Sequence, residues 1–398
     1  MTPIAYGIDF GTTNSMLAVA YPDRTELMTD LGLSMLRSVV YLDANGTRTA
    51  GEQALRQFLS RPDTSQARVM LDVKACLADE HFDRTDVFGR ELKLEDLAGI
   101  IFRYLKLLGD RATDSDTRRA VIGFPVAFPD ALGRRFDIRQ NLALDRLCDA
   151  ANVAGFEQVV PIEEPAAAAG GEDADVYVTL DFGGGTFDVA VVRRHDNSDE
   201  VLALSGAPIG GEELTGRLFA AVVAPSLGLE HPRLPARYRQ YTRTLSELLS
   251  ALFERDLDPG VFRECAPQFQ RIREAGFLYD LYDAVERSKV ELSARQETLI
   301  KLNRRGFETI RIPVTRPQFE GVIAERIDET IMEIDEALAR AGVRSDDVEL
   351  VTLTGGSSRI PLFRDGVGKM LPYAQIEDRD PFGRVAQGLA DQARVYEW

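Results

Sequence analysis

Val176 to Val192 reads VYVTLDFGGGTFDVAVV, and Ala5 to Tyr21 reads AYGIDFGTTNSMLAVAY. In each, two β-rich runs flank a short turn of small and polar residues, the pattern of a β-hairpin rather than of strand, loop and helix. The order of residues is shared as well: strand, Asp, Phe, Gly, small residues, Thr, strand. Asp9-Phe10-Gly11-Thr12-Thr13 is echoed by Asp181-Phe182-Gly183 through Thr186. A repeat at this separation points to two structurally related lobes, each opening with such a hairpin.

The chemistry of these turns follows from their backbone. A glycine-rich hairpin turn exposes several N–H groups into one concavity, which binds phosphate oxygens whatever the net charge of the protein. An aspartate at the strand end beside each turn is placed to hold Mg²⁺ through its waters. Threonine hydroxyls complete the cradle. One such turn is more often only a tight turn; two with the same opening and closing residues point to a paired phosphate clamp, facing across a gap the width of a triphosphate. Other phosphate motifs fail. Gly366-Val367-Gly368-Lys369 lacks the leading glycine and the Ser/Thr of a P-loop. Asp181-Phe182-Gly183 has no His-Arg-Asp catalytic loop before it.

Composition narrows the class. The 398 residues suggest two or three lobes, and a hydrophobic content of 44% supplies ordinary cores. A net charge of -17 argues against nucleic acid and against an anionic membrane as partners. Cys76, Cys148 and Cys265 form no C-x-x-C pair, as expected of reduced thiols in a cytoplasmic protein. His81, His195 and His231 are scattered and read as ordinary imidazoles rather than a metal site. No signal peptide is visible at the N-terminus, and no stretch reaches the roughly 18 apolar residues of a membrane span.

Between the hairpins, residues 36–96 read as short strands and loops. Leu94, Leu97, Ile101, Leu105 and Leu108 follow helical spacing within 92–111. Ala120 to Phe124 reads as a buried strand stopped by Pro125, and 134–154 as a helix ended by Gly155. Pro165 followed by four alanines marks a helix that packs very close to a neighbour. Further on, 282–294 reads as a charged helix and 299–312 as two strands around 303–306. The stripe of Val322, Ile323, Ile327, Ile331, Ile334 and Leu338 marks a helix over 318–341, ended by Gly342. Glu349 to Leu353 reads as a strand, 354–358 as a loop, and a helix starts in 359–371. Leu248, Leu252, Phe253, Phe262, Phe269 and Phe277 form either a local core or a partner surface.

At this point the residues resemble a family. Gly7-Ile8-Asp9-Phe10-Gly11-Thr12-Thr13-Asn14-Ser15 resembles the first phosphate motif of the DnaK-type heat-shock ATPases, and Asp181-Phe182-Gly183-Gly184-Gly185-Thr186-Phe187-Asp188 the second. Glu164-Pro165-Ala166-Ala167-Ala168-Ala169 resembles their connecting motif. Ile209-Gly210-Gly211-Glu212-Glu213, Glu286-Arg287-Ser288-Lys289 to Ser293, and Leu353-Thr354-Gly355-Gly356-Ser357-Ser358-Arg359-Ile360-Pro361 resemble motifs that surround the nucleotide. All run in the family's order. The ending Asp380-Pro381-Phe382-Gly383 is most similar to the shortened, YegD-like members.

The resemblance implies an α/β fold, the two-lobed actin-like ATPase (ribonuclease H-like) fold with a central nucleotide cleft. It implies lobe I over 1–170 with a small subdomain near 36–96, lobe II over 171–379 with a helical subdomain near 210–311, and a C-terminal helix over 380–398 returning to lobe I. Its cofactors would be ATP or ADP with Mg²⁺. Asp9 and Asp181 would organise the metal and the attacking water. Gly11, Thr12, Thr13, Gly183, Gly184, Gly185 and Thr186 would contact phosphate oxygens. Lys74 would be the catalytic lysine, and Glu164 would orient or polarise the water. Gly210 and Gly211 would approach the nucleotide. Glu286, Lys289 and Ser293 would bind ribose and adenine, with Gly355, Gly356, Ser357 and Arg359 on the other side of the adenosine.

Departures from the family bear on function. Val290 stands where the family carries an arginine that stacks on adenine, and Phe382 where it carries an acidic residue. The chain stops at Trp398 without the family's interdomain linker and peptide-binding β-sandwich, so a full chaperone cycle within one chain is not expected. The stretch 221–280 exceeds the family's needs and is a candidate surface for a protein partner. Three readings follow: a slow ATPase acting as a conformational switch, a nucleotide-gated scaffold with little hydrolysis, and a small-molecule kinase of the same architecture. Several residues also have plain structural readings. Asp188 could simply cap its hairpin, and Glu286 with Lys289 could be an ordinary helix-surface pair.

Overall fold

The computed structural model describes residues 2–30, 32–33, 35–59, 66–71, 73–126, 140–169, 173–195, 198–234, 259–378 and 383–398. The chain forms two compact units. One comprises Met1–Gly210, Thr330–Ser358 and Val367–Trp398, the other Gly211–Glu329 and Arg359–Gly366.

The first unit contains both sequence repeats, each as the heart of a sheet. Ala5–Phe10 and Asn14–Ala20 pair antiparallel, from Ala5↔Ala20 to Phe10↔Ser15. Arg119–Phe124 then joins the other side of Ala5–Phe10 in parallel, and Gln158–Glu163 joins Arg119–Phe124 in parallel. Parallel neighbours need a crossover of about a dozen residues or more, usually helical. The helices Leu94–Thr113 and Gln140–Ala154 lie in the two crossovers. The second sheet repeats the arrangement. Val176–Phe182 pairs antiparallel with Phe187–His195 and parallel with Leu350–Thr354, while Ser198–Ala207 and Gln375–Asp378 lie outside them.

The burial of these elements follows their sequence pattern. In Leu94–Thr113 the predicted stripe Leu94, Leu97, Ile101 and Leu105 is buried, and Leu108 is partly so. The stripe packs on the first hairpin, with the Phe102 ring 5.0 Å from that of Phe10. Gly155 and Gly342 end their helices at φ +104° and +64°, a conformation that side chains with a Cβ rarely adopt. The reading of 36–96 as strands and loops needs correction. Glu52–Leu59 and Val73–Cys76 are helical. The first buries Ala54, Leu55 and Phe58, a helical spacing that the short flanking strands obscure. The predicted start of the 134–154 helix, residues 134–139, lies outside the described residues.

Proximity of backbones distinguishes this unit. The alanine-run helix Glu164–Ala168 meets the C-terminal helix Arg384–Val395 so closely that a Cβ on Gly388 would stand 1.7 Å from the Ala167 carbonyl oxygen. A Cβ on Gly7 would stand 2.3 Å from the Ala390 nitrogen. The close packing expected of the alanine run is therefore present, and glycine on the partner makes it possible.

In the second unit, Gly211–Leu218 continues as a π-helical turn, Phe219–Val223. The helices Pro259–Cys265, Pro267–Glu274 and Leu278–Ala294 follow, then the hairpin of Glu297–Leu302 and Ile310–Thr315. Phe262 and Phe269 are buried with ring centroids 5.9 Å apart, and Phe277 packs edge-on against Phe307. These phenylalanines therefore belong to a local core; Leu248, Leu252 and Phe253 lie outside the described residues. Among the described residues, no helix is long and apolar enough to cross a membrane.

Gly388 gives a direct test of the packing. In an exposed helix Gly→Ala is favourable by roughly 1 kcal/mol. Gly388→Ala should instead destabilise the chain by about 1–3 kcal/mol, because the added carbon must displace backbone; urea unfolding of the two proteins measures the sign.

Candidate functional site

The two turns meet within the first unit. The first is closed by Gly11, where a Cβ would stand 2.2 Å from the Asn14 carbonyl oxygen. The second is closed by the Gly183 N–H donating to the Thr186 carbonyl at 3.0 Å. A Cβ on Gly184 would stand 2.2 Å from Thr13 Oγ1, and one on Gly185 2.3 Å from Thr12 Oγ1. The turns thus face each other, as the repeat implies, but not across an open gap of triphosphate width. The short side chains of Thr12 and Thr13 fill the space in front of the two glycines. A phosphate between the turns requires these side chains to rotate away or the hairpins to separate.

Other glycines enclose the second turn from behind. A Cβ on Gly210 would stand 2.3 Å from the Gly184 carbonyl oxygen, and one on Gly355 2.2 Å from that of Phe182 and 2.7 Å from Asp181 Oδ1. Ser357 Oγ donates to the Gly183 carbonyl at 3.2 Å, and Thr354 Oγ1 to that of Leu180 at 3.3 Å. The strand Leu350–Thr354 and its following loop, which includes Gly356, therefore fasten directly onto the hairpin.

Beside the turns, ionisable groups gather around one cation. Lys74, from the one-turn helix Val73–Cys76, is 4% exposed and donates to Glu164 Oε1 at 2.5 Å. Glu164 opens the alanine-run helix and is likewise buried. Asp9 and Asp181 keep some exposed surface but stand in the same neighbourhood. Asp9 is raised well above the ordinary carboxylate range, first by desolvation and then by the negative charge of Glu164, against the pull of Lys74. Asp181 is pushed up to about 6, again by desolvation and then by Glu164. Burial alone would lower the Lys74 ammonium, but the charges of Glu164, Asp9 and Asp188 outweigh it and hold it raised. Lys74 thus stays charged.

Asp188 belongs to this cluster as well as bonding the Thr186 side chain in its own hairpin, so it does more than cap the turn. It is 1% exposed, accepts from the Val126 N–H at 3.0 Å through Oδ1, and its Oδ2 is buried without a hydrogen-bond partner among the described residues. Desolvation, followed by Glu164, pushes it up to about 8. A signal for it existed in the sequence. A two-stranded pairing centred on 183–186 sets Asp181 opposite Asp188, and like charges directly opposed destabilise a hairpin unless something else requires them.

The donor set fits a hydrated divalent cation. Asp9, Glu164, Asp181 and Asp188 outnumber Lys74, and one buried carboxylate oxygen has no partner. Among the described residues, no group of three or more His, Cys, Asp or Glu side chains is arranged to ligate a metal directly. Mg²⁺ suits such a site because it keeps several waters and is held by one or two carboxylates together with phosphate oxygens.

In the second unit the candidate residues share the helix Leu278–Ala294. Lys289 is 8% exposed and donates to the Gly211 carbonyl at 2.8 Å; burial lowers its ammonium below the ordinary lysine range. It is therefore buried rather than at the helix surface, with the negative charge of Glu286 partly offsetting the effect of burial. Glu286 and Ser293 are half-buried and Val290 is 63% exposed. Arg359 ends a short 3₁₀ turn, Gly356–Arg359, and Phe382 lies outside the described residues.

Residues 66–225 and 267–397 match a family model whose description is Hsp70 protein, which covers well over half of the chain. The first hairpin precedes the matched residues. The second hairpin, Lys74, Glu164 and the Leu350–Thr354 strand with its loop fall inside them.

Asp188 sets a pH dependence. An unfolded aspartate titrates near about 4, and the folded one near about 8. Its protonated form is favoured in the fold, so its contribution is largest at low pH and is lost as pH rises through that window. Without Mg²⁺ or nucleotide, Asp188→Asn should therefore gain thermal stability relative to the parent as pH rises from about 4 to about 8, and keep that lead above it. Paired melting curves across this range read the difference.

Proposed function

Because the chain belongs to the Hsp70 family, with that family's actin-like ATPase fold and ATP binding, we propose that it is a slow ATPase used as a nucleotide-dependent conformational switch. One observation carries the reading: Lys74, Glu164, Asp9 and Asp181 come together beside two glycine turns that face each other.

The proposed roles follow from the chemistry of each group. Phosphoryl transfer to water depends on positioning and charge neutralisation more than on covalent chemistry. Mg²⁺, when bound, supplies positive charge at the phosphate oxygens. Asp9 and Asp181 would hold it, and Asp188 would add its negative charge to the same site. Thr12, Thr13, Thr186 and the N–H groups of Gly11 and Gly183 to Gly185 take the phosphates. Lys74 stays protonated and offsets charge that develops in the transition state. Glu164 holds that ammonium in place and orients the attacking water. Gly210, Gly355, Gly356 and Ser357 lie around the second turn and would face the nucleoside side of the phosphates, while a nucleoside role for Gly211, Glu286, Lys289, Ser293 and Arg359 rests on the family resemblance alone. Parting of the two turns to admit the nucleotide, and their return on hydrolysis, is the switch. The motif Asp380-Pro381-Phe382-Gly383 and the long 221–280 stretch support a YegD-like subtype that signals to a protein partner through that stretch.

The alternative of a scaffold that binds ATP with little turnover has support in Lys74 and Val290. The 2.5 Å pairing with Glu164 commits the ammonium to a protein carboxylate, and no arginine stands at 290 to stack on adenine.

Phosphate release and calorimetry together separate the two readings. Asp9→Asn, Asp181→Asn and Lys74→Ala should each lower hydrolysis by about 100-fold or more while ATP still binds. Unchanged turnover in all three rejects the assignment. Tight binding with no turnover in the parent chain selects the scaffold.

A further inference from the structure

The first turn is gripped from behind by one serine. Ser38 follows the short strand Leu36–Arg37, which pairs with Asn14 and Ser15. It is 3% exposed, and Ser15 is wholly buried. The Ser38 N–H donates to the Thr13 carbonyl at 2.8 Å. Its Oγ donates to the Gly11 carbonyl at 2.7 Å and lies 2.8 Å from Ser15 Oγ. A serine hydroxyl has one proton to give. With that proton on the Gly11 carbonyl, Ser15 must be the donor to Ser38. The hydroxyls therefore run in one direction, from Ser15 to Ser38 to Gly11.

This chain of bonds has an orientational consequence. The described residues contain no cis peptide bond. In a trans peptide the C=O of one residue and the N–H of the next point opposite ways across a rigid plane. Ser38 draws the carbonyls of both Gly11 and Thr13 to itself, so the N–H groups of Thr12 and Asn14 point away from it. Outward N–H groups attract an anion; a carbonyl turned the same way repels it. Glycine resists rotation of its neighbouring peptide planes least, which makes the Gly11–Thr12 plane the one most in need of an external hold.

We propose that Ser38 is a positioning residue for phosphate binding. Its hydroxyl, oriented by Ser15, locks the Gly11–Thr12 peptide plane, and its backbone N–H the Thr13–Asn14 plane, with the N–H groups of Thr12 and Asn14 facing outward, toward the di- or triphosphate of a nucleotide. The inference rests on the phosphate reading of the two turns and adds a residue that touches no ligand.

The test compares ligands that differ in phosphate number. Calorimetry with ATP, ADP and AMP should show Ser38→Ala weakening ATP and ADP by about tenfold, the scale of one lost hydrogen bond at a charged group, with AMP much less affected. Ser38→Thr, which keeps the hydroxyl, should restore most of the difference. Should the alanine variant not fold, Ser38→Cys keeps the size with a weaker donor and should show the same preference for losing ADP over AMP. Equal weakening of all three nucleotides, or none, overturns the proposal, because a merely structural role moves them together. A parent chain that binds ADP and AMP alike removes the phosphate reading itself, and the positioning role with it.

Discussion

The Lys74 ammonium is the cation around which the acids of the site are arranged. Among the described residues, four carboxylates converge on one lysine, and the closest of them, Glu164, takes it at 2.5 Å. Breaking a buried pair by removing one partner leaves an uncompensated charge, which commonly costs about 3–5 kcal/mol. The pair therefore holds its two short helices, 73–76 and 164–168, as well as the charges. Helices of four and five residues have too few internal hydrogen bonds to persist alone, so tertiary contacts place them.

The remaining acids share a deficit of positive charge. Asp181 and Asp188 face each other in the hairpin register, and both are raised because desolvation and Glu164 disfavour their ionised forms. A stable fold without function would replace such a set by apolar residues. Its presence at the ends of strands that also carry the two glycine turns is what ties chemistry to architecture.

Backbone proximity is the second constraint. Gly184 and Gly185 leave room for threonine side chains, Gly210 and Gly355 for the backbone of the second turn, and Gly7 and Gly388 for helix packing. At Gly7, Gly210, Gly355 and Gly388 the missing Cβ lets main-chain groups approach closely, and at Gly184 and Gly185 it lets the threonine side chains of the opposite turn do so. The contact of Thr12 and Thr13 with the opposite glycines shows how little separates the turns.

Much of this was legible in the sequence because it depends on local pattern. The alternation in 5–21 and 176–192 sets strand pairing, and Asp-Phe-Gly in each sets which end carries charge. The stripe from Leu94 to Leu105 specifies a buried helix face, and Pro165 with its alanines a close approach. Tertiary structure alone decided the rest. It placed Lys74 against Glu164, ninety positions along the chain. It turned Asp188 inward against Val126, made Lys289 a buried donor to Gly211, and brought Thr12 and Thr13 up to the glycines opposite. The physical reason is range: hydrophobic period and turn chemistry act over a few residues, whereas charge pairing and close packing act between groups that only the folded chain makes neighbours.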